Sequence, residues 1–141
     1  MIANDRQYQQ TRKKYGELQE LLDSVEAGTA GEDGFRSLQA AALTSQMSDL
    51  REEVTEYELL RNGKPTTIES SSLAGLADAL IKARIARGLT QANLSEALGV
   101  AEQQIQRYES SRYATASLAR LCDVAEALNV TVSEVITLKA S

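Results

Sequence analysis

Residues 89–110 read LTQANLSEALGVAEQQIQRYES. Thr90 is an N-cap residue ahead of a helical run that carries Leu94 and Leu98 on one face. Gly99 breaks that run, and a second run with Ile105 and Tyr108 begins about two residues later. Counted from Gln91 as the first, apolar residues stand at the fourth, eighth, tenth, fifteenth and eighteenth positions (Leu94, Leu98, Val100, Ile105, Tyr108), with Ser95 fifth and Gly99 ninth. The apolar set locks two helices at a steep crossing, small Ser95 lets them approach, and Gly99 takes the backbone conformation of the tight turn. Seven such constraints met together predict a helix-turn-helix between Thr90 and Glu109.

With Ile105 and Tyr108 turned inward, Glu102, Gln103, Gln104, Gln106 and Arg107 are left to face outward or sideways. A polar helix face is often no more than a solvated one. Here the residue types suit reading base edges: Gln bridges adenine N6 and N7, Arg forks onto guanine O6 and N7, and Glu accepts from cytosine N4. That chemistry points to double-stranded DNA.

The run LTQANLSEALGVAEQQIQRYE, followed by SLARLCDVAEALNVTVSEVI, resembles the five-helix Xre-type DNA-binding domain of phage repressors and many bacterial regulators, over about residues 73–136. The resemblance implies that Gln91 touches a phosphate or supports the reading helix. It implies base contacts from Glu102, Gln103, Gln104 and Arg107, and an approach to the DNA backbone by Arg112, Tyr113 and Thr115. An arginine late in the first helix pairs in that family with the glutamate closing the reading helix, which points to Arg84 and Glu109 as a structural ion pair. Two departures stand out: Ala101 occupies a position where Ser or Thr usually caps, and Glu102 brings negative charge toward DNA, where it can serve the helix dipole instead of a base.

Downstream, Ser117 is a cap for a helix with Leu118, Leu121, Cys122, Ala125 and Leu128, and the spacing of Cys122 predicts a packed small hydrophobe. Thr131 caps one more expected turn. Val130, Val132, Val135, Ile136 and Leu138 make an apolar tail that either closes its own core or, as the resemblance implies, pairs two subunits. A homodimer would set two reading helices about 34 Å apart on a palindromic operator.

Upstream, Ser70, Ser71 and Ser72 offer an N-cap for a helix with Leu73, Leu76, Leu80, Ile81, Ala83 and Ile85, ended by Gly88. Before it, residues 62–72 (NGKPTTIESSS) form a polar linker. Residues 1–61 predict an antiparallel helical hairpin. Asn4 caps a first helix, with Gln7 as capping-box partner, and Tyr8, Thr11, Tyr15, Leu18, Leu22 and Val25 form a coiled-coil-like seam. After a break at AGTAGEDG (residues 27–34), Ala40, Leu43, Met47, Leu50, Val54 and Tyr57 repeat the stepping. So thin a layer either buries only its own seam or keeps apolar surface for a second subunit or another protein. The expected fold is all-α: this hairpin followed by a five-helix domain over 73–141.

The chain has 141 residues, a net charge of −5 and no histidine. Residues 1–71 hold 8 Lys/Arg against 13 Asp/Glu, and residues 72–141 hold 7 of each, so the acidity belongs to the N-terminal half. Within 80–120, Lys82, Arg84, Arg87, Arg107, Arg112 and Arg120 outnumber Glu96, Glu102 and Glu109, which leaves a phosphate-facing surface open. One cysteine, no apolar leader and no membrane-length apolar run predict a cytoplasmic protein, nucleoid-associated when bound to DNA. No metal-ligand cluster, phosphate-cradling loop or nucleophile with a base nearby is present, so no enzyme, metal or cofactor is expected. The leading expectation is a dimeric transcriptional repressor. The N-terminal helical region also resembles that of HigA-type antitoxins, which adds a toxin protein as partner. The alternative is an interaction module that keeps the helix-turn-helix as scaffold.

Overall fold

In a computed structural model, residues 1–28 and 33–141 are described, and they form six helices with no strand among the described residues. The chain divides into two compact units, Met1–Lys64 and Pro65–Ser141.

The first unit is a pair of helices, α1 (Asp5–Ala27) and α2 (Asp33–Gly63), packed on each other. Asn4 caps α1 by accepting from the Gln7 amide at 2.9 Å, while Gln7 Oε1 accepts from the Ala3 amide at 2.8 Å. The Gln7 side chain thus reaches one residue beyond the cap, which helps draw the first residues in, and Ile2 is 3% exposed. Tyr8, Met47, Tyr57 and Leu60 are buried, and the other seam positions from Thr11 to Val25 and from Ala40 to Val54 are half-buried. The Tyr8 and Tyr57 rings lie 5.2 Å apart with the Arg61 guanidinium over both. Tyr8 donates to Glu58, and Arg61 pairs with Asp5 at 2.9 Å, fastening the start of α1 to the end of α2. Helix α2 continues to Gly63, two residues into the stretch that reads as linker. Of the expected break at 27–34, residues 29–32 lie outside the described residues.

The second unit holds α3 (Leu73–Ala86), α4 (Gln91–Leu98), α5 (Glu102–Ser110) and α6 (Leu118–Ala127). Ser72 caps α3, Thr90 and Asn93 form a reciprocal capping box on α4, and Ser117 caps α6. Helix α4 packs against both α5 and α6. Ile81, Leu94, Ile105, Val124 and Leu128 are the most deeply buried side chains, and each contributes about 1.5–3 kcal/mol by leaving water.

Two sequence expectations change here. Helix α6 turns Val124 and Leu128 inward, whereas Leu118 is 74% exposed and Cys122 is exposed, so the thiol is on the surface and not in the core. The inward face is set by the residues that meet α4, which spacing within one helix does not specify. The turn expected at Thr131 does not form: Asn129 takes a left-handed conformation (φ 53°) and residues 130–141 carry no regular secondary structure. The unit therefore has four helices and not five. That segment is rich in β-branched residues, which lose rotamer freedom in a helix, and it buries too little to offset the cost of nucleating one.

Candidate nucleic-acid interface

The turn between α4 and α5 is set by Gly99 at φ 68°, ψ 31°, with the Val100 amide donating to the Ser95 carbonyl at 3.0 Å. Side chains rarely adopt that conformation, and glycine adopts it freely. Ser95 is 5% exposed and turns its hydroxyl onto the Ala92 carbonyl, so a polar atom is satisfied where the helices meet.

The far end of α5 is fixed by a buried polar cluster. Arg84 on α3 forks onto Glu109, with Nε to Oε2 and Nη2 to Oε1 both at 2.7 Å, and its Nη1 donates to the Leu89 carbonyl at 2.8 Å. Gln91 at the first position of α4 donates through Nε2 to Glu109 Oε1 at 3.0 Å. Arg84 and Glu109 are 3% and 5% exposed. One carboxylate thus ties the C-terminal turn of α5 to both α3 and α4. Such a pair fixes geometry more dependably than it adds net stability, because desolvation offsets much of the attraction. Gln91 is itself 7% exposed, so its geometry suits supporting α5 and leaves little of it for a phosphate.

Held at both ends, α5 turns Ile105 inward and exposes Glu102, Gln103, Gln106, Arg107 and Ser110 along one face. At about 1.5 Å per residue its nine residues span roughly 13 Å, close to the ~12 Å width of the major groove. Gln104 is half-buried at the flank of this face. Ala101 makes no side-chain cap, so the first turn of α5 lacks the bond that α3, α4 and α6 have. Glu102 stands in that turn, where a carboxylate complements the helix dipole, and Gln106 reaches back to it at 3.5 Å.

The loop after α5 passes through two consecutive left-handed residues, Arg112 (φ 52°) and Tyr113 (φ 56°). The Tyr113 amide donates to the Tyr108 carbonyl, and the two rings stack at 5.7 Å. Tyr113 is 5% exposed, and burial, followed by the nearby Glu109 carboxylate, pushes its phenol well above the ordinary range. A neutral, buried ring does not suit the backbone contact implied for Tyr113; it is a packing residue. Arg112 is exposed but paired with Asp78 on α3, a partner that sequence spacing 34 residues apart does not announce. Thr115 is exposed. Arg87, counted with the local basic residues, donates to the Leu128 and Asn129 carbonyls at 3.1 and 2.7 Å and so anchors the end of α6. Of the tail residues, Val130 is half-buried, Val132 is 43% exposed, and Val135, Ile136 and Leu138 are 87–90% exposed.

Among the described residues no cluster of His, Cys, Asp or Glu could hold a metal ion, and no helix is long and apolar enough to cross a membrane. Residues 80–135 match the helix-turn-helix family, from the middle of α3 into the tail. No curated protein and no solved structure matched the chain. The matched segment is an Xre-like helix-turn-helix domain, the kind that DNA-binding regulators carry. The hairpin of α1 and α2 lies outside the match.

Proposed function

We propose that the protein is a sequence-specific transcriptional repressor that occupies a palindromic operator as a homodimer, with α5 of each subunit in the major groove. The observation that carries this reading is the outward face of α5. Gln103, Gln106 and Arg107 stand exposed on a helix whose far end is pinned by a buried, fully engaged carboxylate. A reading helix needs that combination, since hydrogen bonds discriminate between base pairs only when the donor cannot drift. Arg112 and Thr115 flank the face and suit phosphate contacts, Arg112 by exchanging Asp78 for a phosphate.

Selection from random duplex DNA followed by shift assays tests the proposal. A site with two half-sites should emerge, and Gln103→Ala or Arg107→Ala should weaken binding to it by about 1–3 kcal/mol each while sparing nonspecific binding. Failure to select any site, with both variants binding like the parent, would leave the helix-turn-helix as scaffold only.

The first unit supports a second binding task. Leu21, Phe35, Leu38 and Leu59 are more than half exposed, and the second half of α2 carries an acidic stretch, Glu52, Glu53, Glu56 and Glu58; apolar surface and negative charge on one pair of helices suit a basic protein. In an autoregulating antitoxin that protein would be the toxin. A basic product of the adjacent reading frame that co-purifies with the full chain, and is lost on Leu38→Asp, is the expected result.

A further inference from the structure

Two ion pairs join α3 to the end of α5, and they differ in depth. Arg84 and Glu109 are closed off from water, with side chains 3% and 2% exposed. Arg112 pairs with Asp78 at the surface, with side chains 51% and 38% exposed. The inner pair fixes geometry. The outer pair has no such duty, because the loop that carries Arg112 is held by its own backbone. The amides of Arg112, Tyr113, Ala114 and Ala116 donate to the carbonyls of Glu109, Tyr108, Ser111 and Tyr113, and the buried Tyr113 ring stacks on Tyr108. Arg112 is therefore able to leave Asp78 without unfolding the loop, and a half-exposed pair costs little to part. Asp78 is also the one carboxylate between Glu69 and Glu96, a stretch that carries Lys82, Arg84 and Arg87. A lone acid thus holds the loop arginine that flanks the reading helix.

We propose that Asp78 is a built-in competitor of DNA: its carboxylate occupies the Arg112 guanidinium in the free protein, and a phosphate must displace it before the loop adds to binding. The inference rests on the DNA-binding reading above and concerns how tightly that site holds its DNA. Arg112 donates through Nη1 to Asp78 Oδ1. A guanidinium grips a phosphate best through two parallel N–H bonds, and the Nη1 that Asp78 holds is one of the donors such a fork draws on. Parting the pair also leaves a carboxylate close to the incoming phosphate, where like charges repel. Both effects lower affinity. The local positive excess is small, so the state of one arginine weighs heavily in the sum. Asp78 thus acts as an autoinhibitory contact, and it keeps the protein releasable from a site that α5 reads.

The experiment measures binding of the full chain to two probes, a selected site and a random-sequence duplex of equal length, at about 50 mM salt. Asp78→Asn should bind the selected site about two- to fivefold more tightly for each subunit that engages it, with unchanged helical circular dichroism. Asp78→Ala guards against a packing effect of the amide and should gain likewise. In an Arg112→Ala background most of the gain should vanish, because Asp78 then has no guanidinium to withhold. Binding no tighter than that of the parent in both Asp78 variants, or a gain undiminished by Arg112→Ala, would overturn the competitor. The two readings fail separately. If selection yields no site, the random duplex still decides: an Arg112-dependent gain there keeps the competitor and removes sequence-specific repression. A selected site bound equally by the parent and both Asp78 variants removes the competitor alone.

Discussion

At the scale of single residues, the structure concentrates constraint on Glu109. Its two oxygens receive Arg84 and Gln91, and all three side chains are buried. Replacing it by glutamine leaves a guanidinium out of water with no counter-charge. Glu109→Gln should therefore lower stability by about 3–5 kcal/mol, read from the midpoint of urea denaturation. Replacing both charges together, as Arg84→Met with Glu109→Leu, should recover most of that loss, since no buried charge is then stranded. A double variant no more stable than Glu109→Gln would show that the cluster acts through packing and not through charge. The same residue also explains why Gln91 is turned inward: its amide is the remaining donor that the carboxylate can use.

At the scale of elements, α5 has the weakest start among the helices of the second unit. Helices α3, α4 and α6 begin on Ser72, Thr90 and Ser117, each accepting a backbone amide, while Ala101 has no side chain to offer one. Its backbone is already extended (φ −69°, ψ 146°), the conformation a capping residue needs. Ala101→Ser should thus stabilise the domain by roughly 1 kcal/mol, seen as a higher denaturation midpoint with unchanged cooperativity. No gain would mean that Glu102 already offsets the missing bond through the helix dipole. The other weak helix of the sequence reading, at Thr131, is absent for a related reason. There a residue of capping type is present but the segment that follows is rich in β-branched residues and largely exposed, so a capping residue alone does not make a helix.

On the scale of the whole molecule, the chain separates its charges. The acidity lies in residues 1–71, and the helix-turn-helix region keeps a small positive excess. DNA binding by such a surface depends on neutralising few phosphates well. If the proposed dimer neutralises about six phosphates, affinity for a selected site should fall by about a thousandfold between 50 and 200 mM salt, and Arg112→Ala should flatten the slope by about one unit per half-site. An unchanged slope in that variant would keep Arg112 with Asp78 and out of the interface. The hairpin half of the chain has no positive excess to offer phosphates, 8 Lys/Arg against 13 Asp/Glu in residues 1–71.

The division between chain and fold follows from the range of the forces involved. Sequence alone determined the helix-turn-helix, the hairpin seam from Tyr8 to Tyr57 and most caps, because each depends on residues within a turn or two of one another. It could not decide which face of α6 is buried, that Tyr113 packs beneath α5, that Arg112 meets Asp78, or that Gln91 turns to Glu109. Those outcomes are set by which neighbour fills a given space and, for Gln91 and Arg112, by contacts 18 and 34 residues apart. The tail shows the same division most clearly. Its composition marks it as a segment that must be covered, and Thr131 reads along the chain as the cap of one more helical turn. Only the tertiary structure, by leaving it largely exposed after an anchored, left-handed exit at Asn129, decided that it leaves the domain without regular secondary structure.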